Sequence, residues 1–229
     1  PYTTLFRSHL LFILLAVFPL QILSSQSFQI MRYGIEDGLI HESTYTMLQG
    51  KEGFIWIGTA QGICRFDGKT FRTNFTGDTL PSALPQVSFL GKDGAVWFGH
   101  MDGTISVFNG NRVRVLQPDE EHRSAITGFA EDAHGNVLAM TQQSGLIVVD
   151  GDLGMTYVND PFEGIFVSRF HITPGGHLMV GGFDGIHLFA AGKKPGEFEN
   201  AGKIEGIPFT RVETIVSASG EDAFWIGTE

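Results

Sequence analysis

Gln61, Asp102, Gln143 and Asp184 stand 41 residues apart along a chain of 229 residues, each close behind a short apolar run. Amide and carboxylate side chains together offer hydrogen-bond donors and acceptors, which suits a ligand rich in hydroxyl groups. Residues of these types in turns also bond their own backbone and face water. Their equal spacing means that any fold repeating at this interval sets them in one arc, so these four are the candidate ligand-binding residues.

Catalytic constellations are nearly absent. The chain holds no Gly-x-Ser-x-Gly, no His-Glu-x-x-His, no P-loop and no Cys-x-x-Cys. The glycine-rich stretch Gly181-Gly-Phe-Asp-Gly185 lies between two strand-like runs with no helix after it, and reads as a turn rather than a phosphate loop. Of eight histidines, His171, His177 and His187 fall close together, but metal sites need ligands converging at fixed spacing. Asp37, Asp67, Asp93, Asp102, Asp132, Asp150 and Asp184 mostly adjoin glycine in turns, and no two of them stand out as a glycosidase pair. No catalytic residue, metal ligand or cofactor is assigned from the sequence.

The elements that position the four polar residues follow from a repeat. Gly53-Phe-Ile-Trp-Ile-Gly-Thr59 returns as Gly94-Ala-Val-Trp-Phe-Gly-His100, Gly135-Asn-Val-Leu-Ala-Met-Thr141 and Gly176-His-Leu-Met-Val-Gly-Gly182, with glycines 41 residues apart. A last copy, Asp222-Ala-Phe-Trp-Ile-Gly-Thr228, comes after a longer interval. Within a copy the pattern resolves into four strands of about five residues. In the first copy these are Thr44 to Gln49, Phe54 to Thr59, Gly62 to Phe66 and Thr70 to Phe75. Asp67-Gly68, Asn109-Gly110 and Asp150-Gly151 follow the third strands and suit two-residue type I′ hairpins. No window between turns is long enough for a helical repeat.

The expected fold is therefore all-β: a β-propeller of four-stranded antiparallel blades, about 41 residues each, at approximately 44–75, 85–116, 125–158, 167–190 and 212–229. Trp56, Trp97 and Trp225, with Leu138 and Met179 at equivalent places, are expected to wedge between blades. Four blades and a fifth that stops at Glu229 fall short of a closed ring, so the expectation is an incomplete propeller from a longer parent chain. The segment Phe28 to Tyr33 reads as a lone strand able to close the final blade of such a ring.

Composition agrees. Thirty glycines and 42% hydrophobic residues suit a turn-rich β-protein with a real core. A net charge of −10 with only 15 scattered basic residues excludes a nucleic-acid partner. The single cysteine, Cys64, reads as a small buried hydrophobe. Arg7 and His9 precede an apolar run from Leu10 to Leu23, then Ser24, Ser25 and Ser27, the shape of a signal peptide or N-terminal anchor over 1–27. As a helix, that run reaches about 21 Å against a hydrocarbon core of about 30 Å, which favours the signal peptide. Residues 1–8, which open on Pro1, have the look of an artefactual end.

Tyr33-Gly-Ile-Glu-Asp-Gly-Leu39, Gly53-Phe-Ile-Trp-Ile-Gly-Thr59, Gly62-Ile-Cys-Arg-Phe-Asp-Gly68 and Val96-Trp-Phe-Gly99 together resemble the two-component regulator propeller repeat of large bacterial sensor proteins, especially of Bacteroidetes. The resemblance runs from about Phe28 to the end, strong in copies one, two and five and weaker in three and four. It implies a periplasmic, ligand-sensing region whose parent carries a membrane helix and an output module, often a histidine kinase. The partners it implies are a small-molecule or oligosaccharide ligand, the C-terminal signalling domains of the parent chain, and a second copy in a homodimer. The alternative is a secreted or periplasmic propeller that binds or cleaves a glycan without signalling, and a third reading is a structural interaction platform.

Overall fold

In a computed structural model of the chain, the described residues are 30–194, 196–206, 211–218 and 223–228. The expected leader over 1–27 lies outside them. Two compact units divide the chain, Pro1–Arg32 and Tyr33–Glu229.

The second unit is a row of antiparallel sheets. The first blade holds β1 (Thr44–Gln49), β2 (Ile55–Thr59), β3 (Gly62–Phe66) and a short β4 (Phe71–Arg72). In the second, β6 (Pro85–Leu90), β7 (Val96–His100), β8 (Ile105–Asn109) and β9 (Arg112–Leu116) follow the same order, and β5 (Thr76–Gly77) adds to the outer edge parallel to β9. The third contains β10 (Ile126–Glu131), β11 (Val137–Thr141), β12 (Leu146–Val149) and β13 (Met155–Val158). The fourth contains β14 (Arg169–Ile172), β15 (Leu178–Gly182), β16 (Gly185–Ala191) and β17 (Phe198–Lys203). β18 (Val212–Ser217) and β19 (Phe224–Thr228) pair as the fifth. The all-β, four-stranded propeller expected from the repeat is the observed architecture.

In the second, third and fourth blades the second strands are fully buried because neighbouring blades cover both faces, which is why they read as continuous apolar runs rather than alternating ones. The cores lie between blades. Trp56 enters one with Phe98 and Phe108, and Trp97 enters the next with Ile126 and Val149. Leu138 packs with Leu178 and Phe189, and Met179 with Val212 and Ile215. These wedge residues are 4%, 4%, 0% and 2% exposed, whereas Trp225 at the equivalent place is 74% exposed, because no blade among the described residues covers it. At the other end Tyr45 and Met47 are also exposed, so the row is open.

The glycine closing each wedge motif sets how near the next blade can come. A Cβ on Gly58 would lie 3.1 Å from Pro85 Cγ, on Gly99 2.5 Å from Ile126 Cβ, and on Gly181 2.7 Å from Val212 Cβ. Met140 stands at this position in the third blade. There the next first strand, β14, lacks the register shift carried by β1, β6, β10 and β18 near their starts.

Several local expectations change. Asn109–Arg112 is the only expected type I′ site with a two-residue loop, and there Gly110 rather than Asn109 takes the positive φ of 60°. Phe66 pairs with Phe71 and Val149 with Met155, so the Asp67 and Asp150 turns are longer. In each, the aspartate side chain accepts two backbone N–H bonds, which stabilises the wider loop. The fourth strand of the first copy shrinks to Phe71–Arg72, since Phe75 turns inward to stack on Trp56 at 5.5 Å. The fourth blade extends past residue 190 to Lys203, because the glycine- and lysine-containing turn from Gly192 to Glu197 still returns a strand. Of the lone strand expected over Phe28 to Tyr33, Phe28 and Gln29 lie outside the described residues and Ile30–Tyr33 form no strand. Tyr33 instead packs on Phe66 and Phe71, at 4.8 and 6.2 Å. Asp37 accepts the Gly34 N–H at 2.8 Å and Leu39 is buried with Ile57 and Cys64, so the Tyr33–Leu39 motif covers the outer face of the first blade.

Truncating the two ends of this packing gives unequal costs. Trp56→Ala is expected to lower stability by about 3–5 kcal/mol and Trp225→Ala by less than about 0.5 kcal/mol, measured by denaturant unfolding.

Candidate functional site

Gln61, Asp102, Gln143 and Asp184 occupy the turns between second and third strands of successive blades, all exposed. Three of these turns are stitched to the loop entering their own blade by equivalent bonds: Ala60 N–H to Ser43 O, Met101 N–H to Leu84 O and Gln142 N–H to Ala125 O, at 2.8–3.0 Å. The donors and the acceptors each recur at 41-residue intervals. Val167 N–H to Gln142 O at 2.8 Å links the third blade to the entry of the fourth. The turns and entry loops thus form one face, rigidified by backbone bonds.

The four side chains differ in availability. Asp102 Oδ1 accepts the Thr104 N–H at 3.0 Å and its hydroxyl at 2.6 Å, so this carboxylate closes its own turn. Asp184 accepts from Lys203 Nζ and meets His187 Nε2 at 2.9 Å. Gln61 and Gln143 use their backbone N–H groups, toward Thr59 Oγ1 and Ser124 Oγ, and their side-chain amides make no bond among the described residues. The arc therefore offers two uncommitted amides and two carboxylates engaged with neighbours.

The position just before each of these residues escaped notice in the sequence. It carries Ala60, Met101, Gln142 and Phe183, at the same 41-residue interval. Met101 and Phe183 are each 49% exposed, and Phe183 is flanked by Phe166 at 4.9 Å and the Arg211 guanidinium at 5.5 Å. An exposed ring beside Asp184 adds an apolar surface to the polar arc.

His100 stands where other copies have Thr59 or Thr141, whose hydroxyls bond the carbonyls of Gly62 and Gly145 across the turn. Its longer side chain bridges Ala83 O and Ser106 Oγ, both at 2.9 Å. A carbonyl can only accept, so Nδ1 carries the proton and the neutral ring's Nε2 accepts from Ser106. Burial holds its pKa below the usual histidine value, against the opposing influence of the Ala83 bond and Asp102. Histidines 171, 177 and 187 do not share a site: His171 meets Ser217 Oγ, His177 accepts the Ala191 N–H, and His187 meets Asp184. Burial pushes the Cys64 thiol up to about 11, so it is a buried, unreactive core group.

Repeated four-stranded blades packed through wedge residues, with loops gathered on one face, define a β-propeller. The Two component regulator propeller family model matches residues 38–61, which run through the first hairpin to Gln61, and so bears out the resemblance seen in the sequence. No curated protein matches the chain by sequence. Among solved structures, the chain is similar to virginiamycin B lyase from Staphylococcus aureus, with a TM-score of 0.66 and 17% identity over 80% of this chain and 62% of that one. It is also similar to two extracellular domains from B. thetaiotaomicron, each described as part of a hybrid two component system. One has a TM-score of 0.66 and 20% identity over 89% of this chain, the other 0.61 and 17% over 83%. The chain spans 28% and 27% of those two domains. At these identities the likeness establishes the fold.

The bonds from Lys203 and His187 outweigh the effect of burial and bring Asp184 down to about 2. A depressed carboxyl stabilises the fold above its ordinary value near 4, and the contribution is lost as pH falls toward 2. Lys203→Met is expected to move the Asp184 titration back up toward the ordinary carboxyl range, read by carbon NMR of the labelled side chain.

Proposed function

We propose that this chain is the extracytoplasmic sensing propeller of a two-component signalling protein, and that it recognises an oligosaccharide on the face bearing Gln61, Asp102, Gln143 and Asp184. The family match over residues 38–61 carries this reading. Similarity to extracellular domains of hybrid two component systems supports it. Free amides at Gln61 and Gln143 supply paired donors and acceptors to hydroxyls, and Phe183 supplies a flat apolar surface. The loops rest on packed sheets, so little ordering cost accompanies binding. In this reading the signal passes to C-terminal domains of the parent chain, with a second copy as the expected partner in a homodimer. Among the described residues no helix is long and apolar enough to cross a membrane, and export rests on the leader read in residues 1–27.

Similarity to virginiamycin B lyase favours a second reading, a propeller enzyme. Calorimetry against an oligosaccharide panel, followed by chromatography of the recovered sugars, separates the two. The sensor reading expects saturable binding with intact sugars, weakened about three- to tenfold in Gln61→Ala and in Gln143→Ala. Shortened sugars would favour the enzyme, and binding unaltered by both substitutions would remove this face from the site.

A further inference from the structure

The two equivalent clefts between the early blades differ in a way that the repeat makes legible. Between the first and second blades the wedge Trp56 meets Phe75, Phe98 and Phe108, and the remaining cavity is about 160 Å³. Moving 41 residues along the chain puts Leu116, Ala139 and Val149 at those three positions. Three rings are thus replaced by smaller side chains, Phe129 at 6.2 Å being the ring that Trp97 meets, and the cleft between the second and third blades is a cavity of about 500 Å³. That lies within the range of small-molecule sites, about 300–1,000 Å³.

Its walls are Trp97, Ala95, Val107, Val137, Val149 and Leu153. Trp97 is 4% exposed, and its indole N–H is buried with no acceptor among the described residues. A buried donor without a partner is costly, and native structures usually have a reason for one. Leu153, on the rim, is the one non-glycine residue with a positive φ, 66°, among the described residues. Such strain clusters at ligand clamps. The charged rim is largely satisfied internally: Glu131 pairs with Lys92 at 3.1 Å, Arg114 with Asp78 at 3.3 Å, and Asp150 accepts two backbone N–H bonds. Asp93, Glu131 and Asp150 face Arg112 and Arg114 at the mouth, and with the outer partners Lys92 and Asp78 included the balance is one negative charge, which disfavours an anion.

We propose that the cleft between the second and third blades is a binding site for a neutral, largely apolar small molecule that gives a hydrogen-bond acceptor to the Trp97 indole. Its mouth is formed by turns following first and third strands, whereas the polar arc lies on turns following second strands. The two sites are therefore separate, and this one stands or falls independently of oligosaccharide binding.

The chain has three tryptophans, so its nitrogen-labelled form gives three indole N–H signals, assigned with Trp56→Phe, Trp97→Phe and Trp225→Phe. The probe is 2-acetonaphthone, a neutral bicyclic ketone, compared with naphthalene, which lacks the acceptor. The Trp97 signal is expected to move saturably with the ketone, and naphthalene to bind several-fold more weakly. Ala139→Phe with Val149→Phe restores two of the rings present in the neighbouring cleft, and is expected to weaken ketone binding at least tenfold while keeping a dispersed spectrum. If that pair fails to fold, Val149→Leu is the milder block and is expected to weaken binding about threefold. A ketone that moves only the exposed Trp225 signal, gives no saturable shift, or binds the filled variant as tightly as the original overturns the site. Equal affinity of ketone and naphthalene overturns the role of the indole.

Discussion

Everything in the described propeller depends on how closely one blade's first strand approaches the second strand of the blade before it. At three of the four described seams the approach is set by a missing side chain: a single carbon added at Gly99 or Gly181 would collide with Ile126 or Val212, and one at Gly58 would crowd Pro85. Close packing at that point brings the wedge residue under cover, aligns the entry loops with the hairpin turns, and buries second strands on both faces. Thr46 and Ser88 add a hydrogen bond of 2.6 Å across the first of these seams. The polar arc is a consequence, since its turns are held by bonds to the same entry loops.

Variation along the seams carries the chemical individuality of the chain. Where Trp56 is surrounded by rings the cleft is nearly filled; where Trp97 meets Ala139 and Val149 it opens. On the opposite set of turns His100 replaces a threonine and reaches two partners that threonine does not. The repeat thus supplies a uniform scaffold, and departures from it mark the places with distinct chemistry.

Much of this was legible in the sequence because a 41-residue register imposes the same physics four times over. Wedge residues, hairpin turns and the arc from Gln61 to Asp184 could be placed by counting. Other features depended on tertiary contacts that counting does not see. Aspartate-capped loops at Asp67 and Asp150 displaced two-residue turns, because the side chain rather than a left-handed dipeptide satisfies the backbone. Phe75 left its strand for the aromatic cluster around Trp56. The engagement of Asp184 by Lys203 was hidden because Lys203 belongs to a fourth strand lying beyond an unusually long turn. Phe183 and Met101 carried the right periodic signal, but exposed apolar residues next to a turn draw attention only once their exposure is known.

The seam is most directly tested by adding one carbon to it. Gly99 has no backbone need for glycine, and neither does Gly151, whose added Cβ meets nothing within 4 Å. Denaturant unfolding of Gly99→Ala should show a loss of about 1–3 kcal/mol, the usual cost of overpacking. Gly151→Ala should stay within about 0.5 kcal/mol of the original chain. Equal stability of the two variants would contradict the account, because the second blade would then not depend on the close approach of Ile126.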